Sequence, residues 1–284
     1  MKNNPRPKRF LVRFVLPAFL LTLIGAGSYF ISLGIGPSSV TAEPAASGPT
    51  RDSTLSRLID NVAFGVGEKL SFDINYGFIN AGTASMTVEK LIEYNERPCY
   101  QIVTRANSNK FFSSFYKVDD RVESIVDAAG LFAWRFEKRL REGGYKAERM
   151  YQFDQVHNLV LDGKDTVSVE PYAHDALSVM YYIRTVPLEV GKSVYAYNYV
   201  DGQKVNLEIR VLKEEQITVA AGTFDCLVVE PLTSSVGVFK NEGTLKVWLT
   251  NDRLRLPVLM KSKIVVGSIS AELTDYRLGE IEEF

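Results

Sequence analysis

The stretch DGQKVNLEIRVLKEEQITVAAGTFDCLVVEPL, Asp201 to Leu232, alternates apolar and polar residues over most of its length. That two-residue period marks a strand with one buried face. Its first residues, Asp201-Gly202, follow YAYNYV, and Asp-Gly between two such runs is a strong signal for a two-residue hairpin. The stretch also holds Cys226, one of only two cysteines in the 284-residue chain. The other, Cys99, sits in RPCYQIVTRA (Arg97 to Ala106), again ahead of an apolar alternation. Two cysteines in such similar surroundings call for an architectural explanation.

Outward from this stretch the same period dominates. KLSFDINY sends Leu70, Phe72, Ile74 and Tyr76 to one face and Ser71, Asp73 and Asn75 to the other, and TASMTVEKL continues with Ala84, Met86 and Val88. Asp162-Gly163 and Gly143-Gly144 mark two further hairpins. One helix interrupts the strands: HDALSVMYYIRT puts Leu177, Met180 and Tyr181 on one face, a stripe suited to core packing. The spacing of the turns predicts about thirteen to fifteen strands with short connections. The fold expected is therefore all-β: an antiparallel, strongly curved sheet or open barrel-like sheets, with a covering helix near residues 174–185.

Within this β domain, residues 67–279, the pattern repeats. Gly67 and Gly191 head similar runs and lie 124 residues apart, as do Gly143 and Gly267, while Cys99 and Cys226 are 127 apart. These anchors fit two related halves, residues 67–170 and 191–279. Any two meandering sheets also share such a pattern, so the alternative stays open.

The N-terminus carries an address. Lys2, Arg6, Lys8, Arg9 and Arg13 precede 23 uncharged residues, Phe14 to Gly36. Residues 1–42 read either as an export signal cleaved after Ala42, with Val40 and Ala42 meeting the small-residue rule, or as a retained anchor. Either way the remainder is exported, to the periplasm or elsewhere in the envelope, with membrane association through residues 14–36 if the anchor stays. Residues 43–66 follow as a polar linker, EPAASGPTRDST, and a short amphipathic helix, where Leu55, Leu58, Ile59 and Val62 recur at helical spacing behind Ser53 as a cap. All 34 acids but only 28 of the 33 basic residues lie beyond Ala42. That acidic surplus argues against a nucleic-acid partner, which needs a basic face.

Material for catalysis is thin. Only His157 and His174 exist, and the two cysteines and two histidines lack the paired short spacings of a zinc site. No nucleophile elbow and no phosphate-cradling glycine loop is present. No catalytic residue, metal ligand or cofactor is therefore expected. Asp119-Asp120 with Glu123 could pair as acid–base carboxylates, but their alternating context reads as a turn and a solvated strand face. KRLREGGYKAER, Lys138 to Arg149, reads as an exposed hairpin tip or as a contact for anionic headgroups. KFFSSFYKV, Lys110 to Val118, is core if it is strand, and the mouth of a pocket or a docking patch if it is a loop over an open sheet. Phe72, Met86, Phe112, Phe115, Met180 and Trp248 are the candidate lining of an apolar ligand site. Cys99 and Cys226 are either a disulfide, favoured by export, or two buried apolar fillers.

Five ordered segments, GEKLSFDINYGFINAGTASMTV, YKVDDRVESIVDAAGL, ALSVMYYIRT, AGTFDCLVVEP and VWLTNDRLRLPVLMKSKIVVGSISAEL, resemble an exported bacterial family known only as a domain of unknown function. The last of them also looks like the strand–turn–strand of periplasmic lipoprotein carriers, whose curved sheet surrounds an apolar cavity. Export, the all-β reading and the carrier resemblance together imply a non-enzymatic cell-envelope protein that binds a lipid or acyl chain, or that assists envelope biogenesis. A structural module that docks another envelope protein is the alternative, and a hydrolase has the least support. An apolar cavity would favour the first, a solid core with an exposed apolar patch the second.

Overall fold

The computed structural model describes residues 55–233, 245–263 and 267–284. The signal or anchor, residues 1–42, and the linker, with Ser53, lie outside the described residues. Fourteen strands follow in chain order: β1 Lys69–Tyr76, β2 Ile79–Tyr94, β3 Arg97–Ser108, β4 Asp119–Asp127, β5 Ala133–Glu142, β6 Tyr145–Asp154, β7 Leu159–Asp162 and β8 Asp165–Ser168, then β9 Ser193–Val200, β10 Gln203–Val219, β11 Gly222–Thr233, β12 Leu245–Thr250, β13 Pro257–Lys263 and β14 Ser268–Arg277. All are antiparallel neighbours in one sheet, ordered β8-β7-β6-β5-β4-β3-β2-β1-β14-β13-β12-β11-β10-β9. The chain runs outward from β1 to one edge at β8, restarts at the other edge with β9, and returns until β14 pairs β1 from Lys69↔Arg277 to Tyr76↔Ile269.

The hairpins expected from sequence form. Asp201 (φ 49°) and Gly202 (φ 82°) turn between Val200 and Gln203, Gly143-Gly144 between Glu142 and Tyr145, and the Asp162-Gly163 turn joins β7 to β8. Alternate side chains from nearly every strand converge on one core, among them Phe72 of β1, Tyr100 of β3, Phe136 of β5, Tyr199 of β9 and Val247 of β12. A sheet whose single face meets one cluster must wrap around it. The space inside is occupied by residues 173–188, whose Leu177, Val179, Met180, Tyr181 and Ile183 join the same cluster.

The covering helix forms as one turn, α2 (Ser178–Tyr182), with α1 (Lys110–Ser113) between β3 and β4. The stretch 174–185 is shorter as helix because His174 pairs with the edge of β9 instead: its N–H donates to Tyr197 O (2.7 Å) and its carbonyl accepts from Tyr199 N (2.8 Å). It is also buried all round rather than on one stripe, with Ser178, Val179, Met180 and Tyr181 all inside. No amphipathic helix spans the described residues 55–66. There Arg57 Nε donates to Gly130 O (2.7 Å) and Ile59 N to Ala129 O (2.9 Å), which hold the chain extended along the β4–β5 turn. Tertiary hydrogen bonds outweigh the weak local preference of a short helical pattern.

The backbone repeats itself at an offset of 123 or 124 residues. Gly67 (φ 88°) donates to Val88 O and Gly191 (φ 84°) to Val211 O, both at 2.9 Å. A bulge follows Val88 and another follows Val211. Leu131 (φ 51°) and Arg255 (φ 47°) take the same left-handed turn, closed by Asp127 N to Phe132 O (2.9 Å) and Thr250 N to Leu256 O (3.0 Å). Strands β1 to β6 thus correspond to β9 to β14.

Cys99 on β3 and Cys226 on β11 occupy matching places in these two meanders, and they do not bridge. Five strands stand between theirs in the sheet, roughly 29 Å along it at about 4.8 Å per strand, where a disulfide needs Cα atoms within about 7 Å. Each fills its own cluster on the outer face, Cys99 beside Phe132 and Trp134, Cys226 beside Val228 and Trp248. Burial pushes the Cys99 thiol up to about 12 and the Cys226 thiol up to about 11.

At the centre lies an ion pair without access to water. Arg184 Nη1 and Nη2 donate to Glu68 Oε1 and Oε2 at 2.7 Å each, and the side chains are 1% and 0% exposed. Arg184 also donates to Ala63 O (3.0 Å) and Leu254 O (3.2 Å), between the rings of Phe64 and Tyr181. One guanidinium therefore joins the arm before β1, the end of the interior segment and the β12–β13 turn.

Two outcomes follow from this packing. Arg184→Met leaves Glu68 buried and unpaired and should cost about 3–5 kcal/mol of stability in guanidinium unfolding, most of it recovered in the Glu68→Met, Arg184→Met double variant. A double variant as unstable as the single one would contradict the pairing account. A thiol reagent should find no reactive cysteine in the native chain and both under denaturing, non-reducing conditions.

Candidate functional site

One end of the sheet gathers the turns β1–β2, β3–β4 and β5–β6 and the start of β14. Hydrogen bonds stitch them together: Gly77 N to Ser268 O (2.9 Å), Asn109 N to Ala81 O (2.9 Å), Asn109 Nδ2 to Asn80 O (2.7 Å) and Gly143 N to Lys117 O (2.6 Å). Within the β3–β4 connection, Asn109 Oδ1 caps α1 by accepting from Phe112 N (2.9 Å), and Ser108 Oγ accepts from Val118 N (2.8 Å). This fixes one helical turn that points Phe112 inward and leaves Phe111 and Phe115 67% and 52% exposed. Their three rings lie 5.2–5.6 Å apart. Across the Asn109–Asn80 link, Phe78 is 107% and Ile79 55% exposed. Burying one such side chain gains about 1.5–3 kcal/mol, so four together form a surface that gains by being covered.

Beneath this patch is a cavity of about 40 Å³ lined by Ile74, Ala81, Ala106, Val118 and Ile269, with Asp120 and Glu142 also in its wall. Ligand pockets hold about 300–1,000 Å³, so this one admits no acyl chain. Burial pushes the Asp120 carboxyl up, against the pull of the Arg141 amide (2.8 Å) and of a hydrogen bond with Glu142. Asp120 was expected on a solvated face with Glu123; the alternation of β4 instead turns Asp120 inward and sends Glu123 outward to Arg121 (2.5 Å).

A wider hollow of about 710 Å³ lies at the opposite end, between Leu55, Tyr94, Arg97, Trp134, Asp154 and His157. Several of its polar groups are already paired. Arg97 is held by Asp127 (2.5 and 3.1 Å), which also accepts from Trp134 Nε1 (3.3 Å), and His157 contacts Asp154 (2.7 Å).

A serine, a histidine and an aspartate do meet inside the protein. Ser178 Oγ lies 3.5 Å from His174 Nδ1, and both are buried with Asp175. The order needed for nucleophilic catalysis is missing, because Asp175 faces Ser124 Oγ (2.5 Å) and the amides of Leu177 and Ser178 (2.7 Å each). Ser178 Oγ in return accepts from Asp175 N (2.9 Å), which makes the group a cap on the turn that leads into α2. Burial, with Arg57 nearby, lowers the His174 pKa well below its usual value, and burial pushes Asp175 up to about 6.

The six expected lining residues do not meet in one site. Phe72, Met86, Phe112 and Met180 belong to the packed inner core. Trp248 lies in the outer-face cluster with Cys226 and donates to Glu215 Oε2 (2.7 Å), and Phe115 is on the exposed patch. None of the six borders either hollow. Sequence reading missed Phe78 and Ile79; their signal is an apolar pair directly after Gly77, where a turn calls for polar residues.

Residues 71–274 match the family described as "Protein of unknown function (DUF3108)". No curated protein matches the chain. Among solved structures, a beta-barrel-like protein of domain of unknown function DUF1849 from Brucella abortus is similar over 77% of this chain and 100% of its own, with a TM-score of 0.53 at 11% identity. A DUF1089 family protein from Pseudomonas aeruginosa covers 64% of this chain and 90% of its own, with a TM-score of 0.36 at 11% identity. The first likeness establishes the barrel-like fold alone; the second is too loose to argue from.

The Asp175 cap has a pH consequence. Its folded pKa of about 6 lies above the unfolded value of about 3.9, so its contribution to stability is full below about pH 4 and is lost as pH rises through about 6. Asp175→Asn keeps an accepting oxygen and should flatten this loss, read as the difference between the two proteins' unfolding midpoints from pH 4 to 7. Parallel profiles would contradict the assignment.

Proposed function

The chain belongs to the DUF3108 family of unknown function, and from that membership we propose a non-enzymatic protein of the cell envelope whose working surface is the patch of Phe78, Ile79, Phe111 and Phe115, applied to lipid. The observation that carries this reading is the contrast between a filled interior and four large apolar side chains exposed at one end. A lipid surface covers such a patch without any cavity to receive it. The basic N-terminus and the uncharged run Phe14 to Gly36 support export of the β domain and, where that run is retained, a tether to the inner membrane. Carriage of single acyl chains within the sheet finds no support in a cavity of about 40 Å³. The buried Ser178 and His174 lend none to hydrolysis.

The test is co-sedimentation of residues 43–284 with phosphatidylcholine vesicles. Phe111→Ser and Phe115→Ser should each weaken binding about tenfold or more, while Leu58→Ser, exposed at the opposite end, should leave it unchanged. Equal binding by all variants would refute the patch as the lipid-facing surface; an absence of binding to vesicles would favour the docking of an envelope protein.

A further inference from the structure

Basic side chains ring the apolar patch. Lys110 precedes Phe111 on α1, and Lys117 follows Phe115 with its carbonyl bound to Gly143 N. Arg141 and Lys146 flank the β5–β6 turn as direct cross-strand partners. Lys263 is the partner of Ser268, whose carbonyl receives Gly77 N. All five are exposed. Among the described residues, Lys110, Lys117, Lys146 and Lys263 make no ion pair, and Arg141 reaches the exposed Asp119 only at 4.0 Å, a contact worth little in water. Like charges set opposite each other across a ladder, as Arg141 and Lys146 are, destabilise a sheet. A basic rim also runs against the composition of a chain whose acids outnumber its bases 34 to 28 beyond Ala42. Folding has no use for this arrangement, and a partner of negative charge has.

We infer that the rim selects anionic lipid headgroups for the apolar patch. The inference rests on the lipid reading above and adds the headgroup. Headgroup phosphates beside an inserted aromatic cluster are the arrangement expected at a bilayer interface.

The full chain, carrying Ser114→Cys with a fluorescent label, tests this, since the native thiols are buried. It is held in phosphatidylcholine vesicles through residues 14–36, and acceptor vesicles with a lipid-borne quencher are added, made of phosphatidylcholine alone or with phosphatidylglycerol. Anionic acceptors should quench the label more than neutral ones. Lys117→Gln and Lys146→Gln should each lower the docked-to-free ratio about fivefold on anionic acceptors and leave neutral ones unaffected. Phe111→Ser should lower docking on both. Equal docking on both acceptors, or lysine variants that dock as the parent does, overturns the headgroup selection and spares the lipid reading. Docking insensitive to Phe111→Ser overturns the lipid reading itself. No quenching by either acceptor overturns the headgroup selection and the lipid reading together and leaves a protein surface as the partner.

Discussion

Between Glu68 and Arg184 two opposite charges sit where water does not reach, joined by two parallel hydrogen bonds of 2.7 Å. Removing either ion from water costs several kcal/mol, which only a partner in good geometry offsets. Burial alone would lower the Arg184 pKa; the charge and hydrogen bonds of Glu68 reverse the shift. The pair is therefore satisfied only when the start of β1 and the end of the interior segment arrive together, and the remaining donors of Arg184 fix Ala63 and Leu254 in the same act. With its end so fastened, the segment 173–188 fills the curved sheet, and function is displaced to the rim.

That displacement separates what the sequence could reveal from what it could not. The strands and the Gly143-Gly144, Asp162-Gly163 and Asp201-Gly202 turns were legible because period two and turn chemistry are local. The turn at Asn95 (φ 50°) and Glu96 (φ 59°) was not, since nothing local marks a glutamate for the left-handed region. The helical spacing of Leu55, Leu58, Ile59 and Val62 was a local signal overridden by bonds to Ala129 and Gly130, seventy or more positions away. The interior segment looked like a helix on the sheet because its three named apolar residues share a face; its other neighbours are buried too, a fact only the wrapped sheet supplies.

For the site the same division holds. Phe111, Phe112 and Phe115 stood out as a cluster, yet which of them faced inward depended on the Asn109 cap and the link to Asn80. Met180 and Trp248 were sensible choices for an apolar lining, but Met180 packs in the core within the sheet and Trp248 in the cluster on its outer face. The Asp120–Glu142 pair was invisible, because its members meet only through the junction of β4 and β5 at Val118↔Glu142.

The 123- or 124-residue repeat bears on how such a protein could come apart or evolve. The two meanders join tail to head, β14 against β1, and an open row of that kind has no symmetry axis to close it. What closes it is the connector between the units, residues 169–192, which in a simple tandem would be an exposed link. Here it has become the core. Neither half can then be a domain in its own right, since the piece each would need to cover its apolar face is the piece that joins them. Proteolysis, insertion or recombination at the junction of the two meanders, ordinarily the most forgiving place in a duplicated protein, would strike at its least replaceable part.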